Sequence, residues 1–460
     1  MLEERPNDGA PNADAPNADA PIVAPGDRRL RGRDLAVLWT DLSVGLLVMV
    51  TGALLVPSLG LARATLAIAI GSVLGSALLA IVGRIGQVEG AASMALLRPT
   101  LGTRGSAVPS LLNLLQLVGW TSVEFWAMAS VADAASRAAF GWSDRGLWLV
   151  AVAVACTALA VAGPVTVVRR WLERVGGPVL LLAAAWITAR VLTAGDLGAL
   201  WATPGSGGMP FWLAVDLVAV MPISWLPLVA DYTRLARTDA RAFAGTFVGS
   251  TVGTAWCYLL GVLLVLVAGA TPDLGGIGGA IVAVAGGGVL IVALLVGETD
   301  NAFANLYSAG MSARNVRPGW SQRATIIAVA AIATALASAF TLERYEVFLL
   351  LIGSVFVPLA GAFLGDRVAA RGRRDGSPPP AWRPVALLPW AAGFVLYHWS
   401  VPTGPQAWVD AVGGVAAAIG VPFPLLGSAL GASIPSFALA FVLALVPSLV
   451  TRRGRTARSG

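Results

Sequence analysis

The sequence predicts an all-α, polytopic membrane protein, and two observations carry that prediction. Of the 460 residues, 57% are hydrophobic and only 12% are charged. Apolar stretches recur that approach or exceed the roughly 20 residues needed for a helix to cross a bilayer. A soluble fold is thereby excluded. Nucleic acid is also excluded as a partner, because the arginines that give the net charge of +6 flank these apolar stretches, where they indicate membrane topology.

The two ends of the chain are predicted to lie outside the membrane domain. Residues 1–33 begin with a repeated Pro-Asn-Ala-Asp-Ala tract and end in a cluster of arginines. Such a tract buries too little apolar surface to order itself, so we expect a disordered cytoplasmic tail, and it lacks the apolar core of a signal peptide. Residues 451–460 form a basic cytoplasmic tail. The membrane domain occupies residues 34–450 between them.

Twelve transmembrane helices are predicted in this domain. They lie at about 35–59, 62–83, 107–139, 146–163, 176–194, 211–232, 243–270, 280–308, 324–341, 345–364, 384–401 and 431–450. The stretch at about 405–427 is rich in glycine and proline, and we expect it to be an outer connection, with a re-entrant segment as the alternative. Arginines are concentrated in alternate connections and at both ends, with the exceptions Arg63, Arg137, Arg145, Arg190 and Arg344. The positive-inside rule therefore places both termini in the cytoplasm and the protein in the inner (plasma) membrane.

Two of the predicted spans are interrupted. The first contains Thr51 and Gly52 at mid-depth, with Pro57 beyond them, and the sixth contains Pro222 and Pro227. A backbone carbonyl freed by such a break is tolerated in hydrocarbon only where protein, ion or water satisfies it, so broken helices mark binding sites in transporters. A proline kink that serves packing alone is the alternative reading.

The spacing of the two breaks predicts an internal repeat. Broken helices 1 and 6 are five spans apart, and an odd number of helices per repeat forces the second copy to run with inverted topology. We therefore expect two inverted five-helix repeats, at about 35–194 and 211–364, with two extra helices at about 384–450. A site between broken helices 1 and 6 would then lie near the bilayer midplane.

The third span carries a polar face. Asn113, Gln116, Trp120 and Glu124 recur every three or four residues, so they share one side of the helix, and that side must face inward. An aromatic ring next to a carboxyl and an amide suits a flat heterocycle, which stacks on the ring and forms hydrogen bonds at its edge. The alternative is that Trp120 only packs and that Glu124 pairs with an arginine.

The eighth span ends in a second concentration of polar groups, comprising Glu298, Thr299, Asp300, Asn301 and Asn305. Hard oxygen ligands select a small cation. Asn301 and Asn305 are one turn apart on one face, whereas Thr299 and Asp300 point elsewhere, so this helix can serve both a substrate and a coupling ion. A helix end near the membrane surface is the alternative, although it would account for only one or two of the five.

Three motifs in order resemble a known family. They are Gln-Leu-Val-Gly-Trp-Thr at 116–121, Ser-Trp-Leu-Pro-Leu-Val-Ala-Asp-Tyr-Thr-Arg at 224–234 and Thr-Asp-Asn-Ala-Phe-Ala-Asn-Leu-Tyr-Ser-Ala-Gly at 299–310. These are similar to the signatures of nucleobase–cation symporters of the purine–cytosine permease type, over about residues 34–450. The resemblance is closest to the branch for hydroxymethylpyrimidine, a thiamine precursor, and cytosine. It implies cation-driven uptake by alternating access, with Na⁺ or H⁺ as coupling ion and no cofactor.

The resemblance also implies roles for individual residues. Those implied or favoured for substrate binding are Trp120, Glu124, Gln116, Trp225, Asn301 and Asn305. The residues implied for the cation site are Thr299, Asp300, Val48, Thr51 and Gly52. Na⁺ would bind at Thr299 and Asp300. This sequence departs from the family at two points. The second stacking aromatic aligns near Pro222, with Trp225 three residues away, and Asp300 stands where relatives have a hydroxyl.

The chemistry of Glu124 narrows the expected substrate. A neutral carboxylic acid both accepts from the amino group and donates to the ring nitrogen of a 4-aminopyrimidine, an edge that uracil lacks. The resemblance then favours hydroxymethylpyrimidine, with a cytosine, purine or allantoin permease as the alternative. A membrane enzyme or ATP-driven pump is disfavoured, because the chain has one histidine, no lysine and none of the common hydrolase motifs. A channel is disfavoured by the broken helices.

Overall fold

The fold of the chain is almost entirely helical. The computed structural model describes residues 22–162, 175–286, 289–339, 345–370, 378–425 and 431–456. In these ranges, the elements outside helices and turns are isolated bridges that join Ile22 to Ala91 and Leu30 to Ala236. The predicted all-α class is confirmed.

The helices follow one another closely along the chain. The first half of the described chain contains α1 (Gly32–Asp41), α2 (Leu46–Ala53), α3 (Leu61–Glu89), α4 (Arg98–Leu101), α5 (Ala107–Phe140), α6 (Arg145–Ala162), α7 (Gly177–Ala194) and α8 (Leu197–Ala202). The second half contains α9 (Phe211–Ser224), α10 (Val229–Thr233), α11 (Asp239–Ala268), α12 (Leu274–Ala285), α13 (Val289–Val316), α14 (Gln322–Ser338), α15 (Tyr345–Ala369), α16 (Pro384–Ser400), α17 (Gln406–Ile419) and α18 (Ser433–Thr456). Short 3₁₀ turns occur at Pro25–Asp27 and Ala95–Leu97.

Several described helices have the length and composition of membrane spans. By these criteria α3, α6, α7, α11 and the Glu346–Ala369 part of α15 are long and apolar enough to cross a bilayer, and α1 with α2 adds a sixth span if the bent pair is counted as one. The count of twelve remains a prediction, as does the inverted repeat.

Two connections differ from the sequence prediction. The span predicted at 280–308 is two helices, α12 and α13. Helix α12 ends at Ala285 and is capped by Gly286, whose positive φ of 83° is a conformation that glycine adopts without strain. The connection predicted at 405–427 contains a helix of its own, α17, which is mostly exposed.

The N-terminal strap, residues 22–31, crosses one end of the helices. The Val23 amide donates to Gly90 O (2.8 Å), the Leu30 amide to Leu235 O (2.8 Å), and the Arg237 amide to Leu30 O (2.9 Å). Val23 and Leu30 are buried. These residues belong to the segment predicted as a disordered tail, but here they lie against the body of the protein. Residues 1–21 of that tail are outside the described part of the chain.

The helices around the breaks pack as two groups. In the first group, α11 lies along α1, α2 and α3, and α3 also packs on α9. Glycines allow this close approach, since a side chain at Gly249 would collide with Ala36 and one at Gly261 with Met49. In the second group, α5 packs against α13, α14 and α6. The helices α15, α16 and α18 pack on each other, and α15 also packs on α9.

Candidate functional site

A small cavity lies where the two groups of helices meet. Its volume is about 20 Å³, enough for about one water molecule. It is lined by Leu42, Leu47, Val48, Trp120, Glu124, Met221, Ser224, Trp225, Glu298, Asn301 and Asn305. A groove of about 1180 Å³ between α3, α9, α15 and α18 is far larger. It is mainly apolar and includes the exposed Leu74 and Val88, as expected of a membrane-facing surface, so its size does not make it the better candidate.

The break in the first span supplies one wall of the cavity. The axes of α1 and α2 differ by 60° across residues 42–45. At this break Gly45 N donates to Cys257 Sγ (3.4 Å), and Leu46 N donates to Glu298 Oε1 (2.6 Å). The break thus precedes the predicted position at Thr51 and Gly52, which are helical within α2. The carboxylate of another helix, rather than proline, satisfies the free N-terminus of α2.

The break in the sixth span supplies a second wall. Helix α9 ends at Ser224, and α10 begins at Val229. The freed Ser224 carbonyl accepts a hydrogen bond from Gln116 Nε2 (2.9 Å). Gln116, which is predicted to bind substrate, lies beside the cavity, where its Nε2 satisfies the broken backbone. This is the compensation that a break in hydrocarbon requires.

Two tryptophans face the cavity from different helix groups. Trp120 comes from α5, and its ring meets the edge of Phe348 at 5.3 Å between centroids. Trp225 follows α9, and its ring meets Trp39 at 6.1 Å in an edge-to-face contact. Edge-to-face contacts with these neighbours hold both tryptophan rings in place. Both predicted tryptophans therefore reach the same space.

Carboxyl and amide groups from α5 and α13 complete the cavity. Glu124 lies against Glu298, and both are almost fully buried. Asn301 Nδ2 donates to Glu298 Oε2 (3.2 Å), and Asn305 also lines the cavity. No basic residue lines it within the described part of the chain. The site therefore combines aromatic rings with negatively polarised oxygen atoms.

The residues predicted for the cation divide into separate places. Asp300 interacts with Asp41, the last residue of α1, and both are buried. Val48 lines the cavity that also contains Trp120 and Glu124. Thr51 Oγ1 donates to Leu47 O (2.9 Å), and Gly52 packs against the backbone of Tyr258.

Among the described residues, no group of three or more histidine, cysteine, aspartate and glutamate side chains is arranged as a metal site. Asp41 is not among the residues predicted from the sequence, and Glu298 is predicted only as part of the polar cluster of the eighth span, without a specific ligand. Asp41 lies at the break in the first span and Glu298 in the polar segment of the eighth span, and these positions are the sequence features that point to both residues.

Comparison with known proteins identifies a family and relatives that this chain resembles in sequence. A model of the family described as "Permease for cytosine/purines, uracil, thiamine, allantoin" matches residues 23–377. A putative purine-cytosine permease, YxlA of Bacillus subtilis (strain 168), is 27% identical over 301 residues, which are 62% of each chain, so the match spans less than two thirds of that relative. A hydantoin permease of Microbacterium maritypicum is 24% identical over 364 residues, covering 74% of this chain and 73% of the relative.

Solved structures show a similar fold. Mhp1, a nucleobase-cation-symport-1 family transporter in a closed conformation with bromovinylhydantoin bound, matches with a TM-score of 0.72 at 20% identity over 95% of both chains. A Na⁺-coupled sialic acid symporter in a substrate-bound outward-open state matches with a TM-score of 0.64 at 13% identity, over 95% of this chain and 93% of the symporter. At these identities the likeness shows the fold alone.

Proposed function

The chain belongs to the family of permeases for cytosine, purines, uracil, thiamine and allantoin, and from this membership we propose that it is a secondary transporter that takes up a pyrimidine-type base together with a cation. One observation carries the proposal. Trp120 and Glu124 face a single cavity between two groups of helices, at the breaks of two spans. Transporters of this kind bind substrate where broken helices meet.

The proposed substrate is a 4-aminopyrimidine, with hydroxymethylpyrimidine first and cytosine second. The cavity, which has room for about one water molecule in this structure, widens to admit the ring, which then stacks on Trp120 with Trp225 as the second plate. A neutral Glu124 accepts a hydrogen bond from the amino group and donates one to the adjacent ring nitrogen. Purines and allantoin are the alternatives within the family, and an amino-substituted purine offers a comparable edge.

Competition uptake tests this substrate class. Cells that express the protein take up a labelled aminopyrimidine, and hydroxymethylpyrimidine, cytosine and uracil are added as competitors. The two aminopyrimidines should compete, and uracil should not. Glu124→Gln should keep part of the uptake, because an amide still accepts and donates, whereas Glu124→Leu should lose it. Uracil competing as strongly as cytosine in the parent protein would contradict the proposed pairing.

The proposed coupling cation binds near Asp300. This carboxyl meets Asp41 at the end of α1, and two buried carboxyls in contact are stabilised when a cation or a proton lies between them. Thr299 is adjacent in the sequence and supplies a hydroxyl. Asp41 directly precedes the break between α1 and α2, so the proposed cation site lies next to this break.

Gradient-driven uptake in vesicles distinguishes the two ions. A Na⁺ gradient imposed alone and a pH gradient imposed alone are compared for the parent protein, Thr299→Ala and Asp300→Asn. Thr299→Ala should weaken only Na⁺-driven uptake, whereas Asp300→Asn should weaken whichever gradient drives the parent. If both variants respond to the gradients as the parent does, the cation site lies elsewhere.

The proposed topology places both termini in the cytoplasm. Gly279 in α12 and Gly319 before α14 are exposed and have open space at the position of a side chain, so each accepts a cysteine. The native Cys156 and Cys257 are buried and should give little background. A membrane-impermeant thiol reagent should label Gly279→Cys in intact cells and Gly319→Cys only after lysis. The reverse pattern would overturn the orientation.

A further inference from the structure

Glu298 is an acidic residue of α13 to which the family resemblance gives no role. It is 1% exposed and lines the same cavity as Glu124. Its Oε1 accepts from Leu46 N, and its Oε2 accepts from Asn301 Nδ2. These two bonds fix the orientation of the carboxyl group, because each oxygen is held from a different helix segment. The protein therefore positions the Glu298 carboxyl in the cavity before substrate binds.

The cavity contains oxygen atoms without hydrogen-bond partners. In the described structure Glu124 Oε2 and Asn301 Oδ1 are buried and accept no hydrogen bond. Both residues are 4% exposed. Each is an acceptor, and a buried acceptor left unsatisfied costs roughly 1–3 kcal/mol. A ligand that supplies N–H donors to this group of oxygens removes that cost.

The chemistry of the ring edge decides which ligands do so. A uracil or hydantoin edge presents one N–H between two carbonyl oxygens, and those carbonyls would face other acceptors. A primary amino group presents two N–H donors and no carbonyl oxygen. Its two hydrogens point in different directions, so two acceptor groups are needed to satisfy it. Glu124 of α5 and Glu298 of α13 both line the cavity and supply two such groups.

We propose that Glu298, Glu124 and Asn301 form an acceptor clamp that selects heterocycles with a primary exocyclic amino group, Glu298 accepting the amino hydrogen that Glu124 does not use. The unpartnered Asn301 oxygen, in the same buried cavity, is the independent sign that N–H donors belong there. The proposal rests on the proposed function, since it names a specificity residue of the same site. It assigns Glu298 to the substrate as well as to the start of α2.

Methylation of the substrate's amino group tests the clamp. Purified full-length protein is titrated with the aminopyrimidine that it binds, cytosine or hydroxymethylpyrimidine, and with the derivative in which the amino group carries one methyl. Loss of one N–H should weaken binding to the parent by roughly tenfold. This measurement needs no variant, so it remains decisive even if substitutions at Glu298 fail to fold.

Glu298→Gln separates hydrogen bonding from steric exclusion of the methyl group. The glutamine keeps an oxygen for Leu46 N but turns an NH₂ group toward the cavity. Binding of the primary amine should fall roughly tenfold, and the additional penalty for methylation should shrink to less than about threefold. Glu89→Gln, a carboxyl-to-amide change outside the cavity, should leave both affinities unchanged.

The outcomes separate this inference from the proposed function. If no nucleobase or pyrimidine binds the parent, the proposed function fails. If the parent binds the primary and methylated amines equally, or if Glu298→Gln keeps the full methylation penalty, the clamp is wrong while the proposed function stands. A uniform loss of affinity for all ligands in folded Glu298→Gln would likewise refute a role in selectivity.

Discussion

In the described part of the chain, Glu298 and Asp216 are buried carboxyl groups that each cap the start of another helix, one inside the candidate site and one outside it. Glu298 of α13 meets the N-terminus of α2, and Asp216 of α9 meets the N-terminus of α18. In both places a glycine precedes the helix and makes room for the carboxyl, since a side chain at Gly45 or Gly431 would collide with it. The local architecture is therefore nearly the same.

The two carboxyls differ in what surrounds them. Asp216 Oδ2 accepts from the backbone amides of Ala432 (2.6 Å) and Ser433 (3.1 Å). Glu298 accepts from one backbone amide and one side-chain amide, and it also lies against a second acid, Glu124. A carboxyl whose oxygen accepts hydrogen bonds from backbone amides stabilises the fold. A carboxyl that shares a cavity with another acid and few donors can still accept hydrogen bonds from a ligand. The comparison thus distinguishes a structural cap from a cap within a binding site.

The largest expected effect is on folding, at Asp216. Asp216→Leu leaves the Ala432 and Ser433 amides buried without an acceptor, so it should lower the stability of the protein by roughly 2–4 kcal/mol. Substrate affinity of the folded fraction should be unchanged, because Asp216 does not line the cavity. Thermal unfolding of the purified protein, with and without ligand, measures both.

Asp216→Asn is the matched control for that change. Its amide oxygen can still accept from the α18 backbone, so the loss of stability should be clearly smaller than for leucine. If both Asp216 variants unfold like the parent but bind substrate poorly, then the two carboxyls have the opposite roles to those argued above.

The next effect is on binding, at Trp120. Trp120→Ala removes one aromatic face of the cavity and should cost roughly 1–3 kcal/mol of substrate binding, the scale of aromatic–base stacking in nucleic-acid complexes. Stability should change less than in Asp216→Leu. Trp201→Ala, at an exposed tryptophan, is the control and should alter neither quantity. Equal affinities in the parent and Trp120→Ala would show that the substrate stacks elsewhere.

The smallest effect compares the two glycines. Gly431 has a φ of 65°, so alanine there adds about 1 kcal/mol of backbone cost as well as a collision with Asp216. Gly45 has an extended φ of −175°, which any residue adopts, so alanine there only displaces Glu298. Gly431→Ala should lower the melting temperature without changing the affinity for substrate. Gly45→Ala should mainly lower the affinity for substrate, with a smaller effect on the melting temperature. Identical responses at the two sites would remove the distinction between the caps.

Much of the fold follows from patterns within single stretches of sequence. Apolar length located the helices, and the prolines at 222 and 227 located the break between α9 and α10. Helical spacing placed Trp120 and Glu124 on one face, and both line the cavity. These features are set by neighbours a few residues away, so sequence alone contains them.

Other features depend on contacts between distant segments. The break after α1 lies at residues 42–45 because Glu298, 252 residues from Leu46, caps α2 there. No spacing rule links those two positions. In the same way, Gln116 shares a helix face with Trp120, yet it serves the Ser224 carbonyl of another span. Which side chains of a polar face line the cavity is decided by the packing partner.

The N-terminal strap bears on how the protein is made. Its Leu30 pairs with Leu235 and Arg237, which the ribosome adds only after the first half of the membrane domain. The strap, which is synthesised before these partners, therefore waits for α9 and α10 to be inserted before it can take its native place. It must also remain on the side of the membrane where those partners emerge. The strap is thus among the later parts of the molecule to be completed.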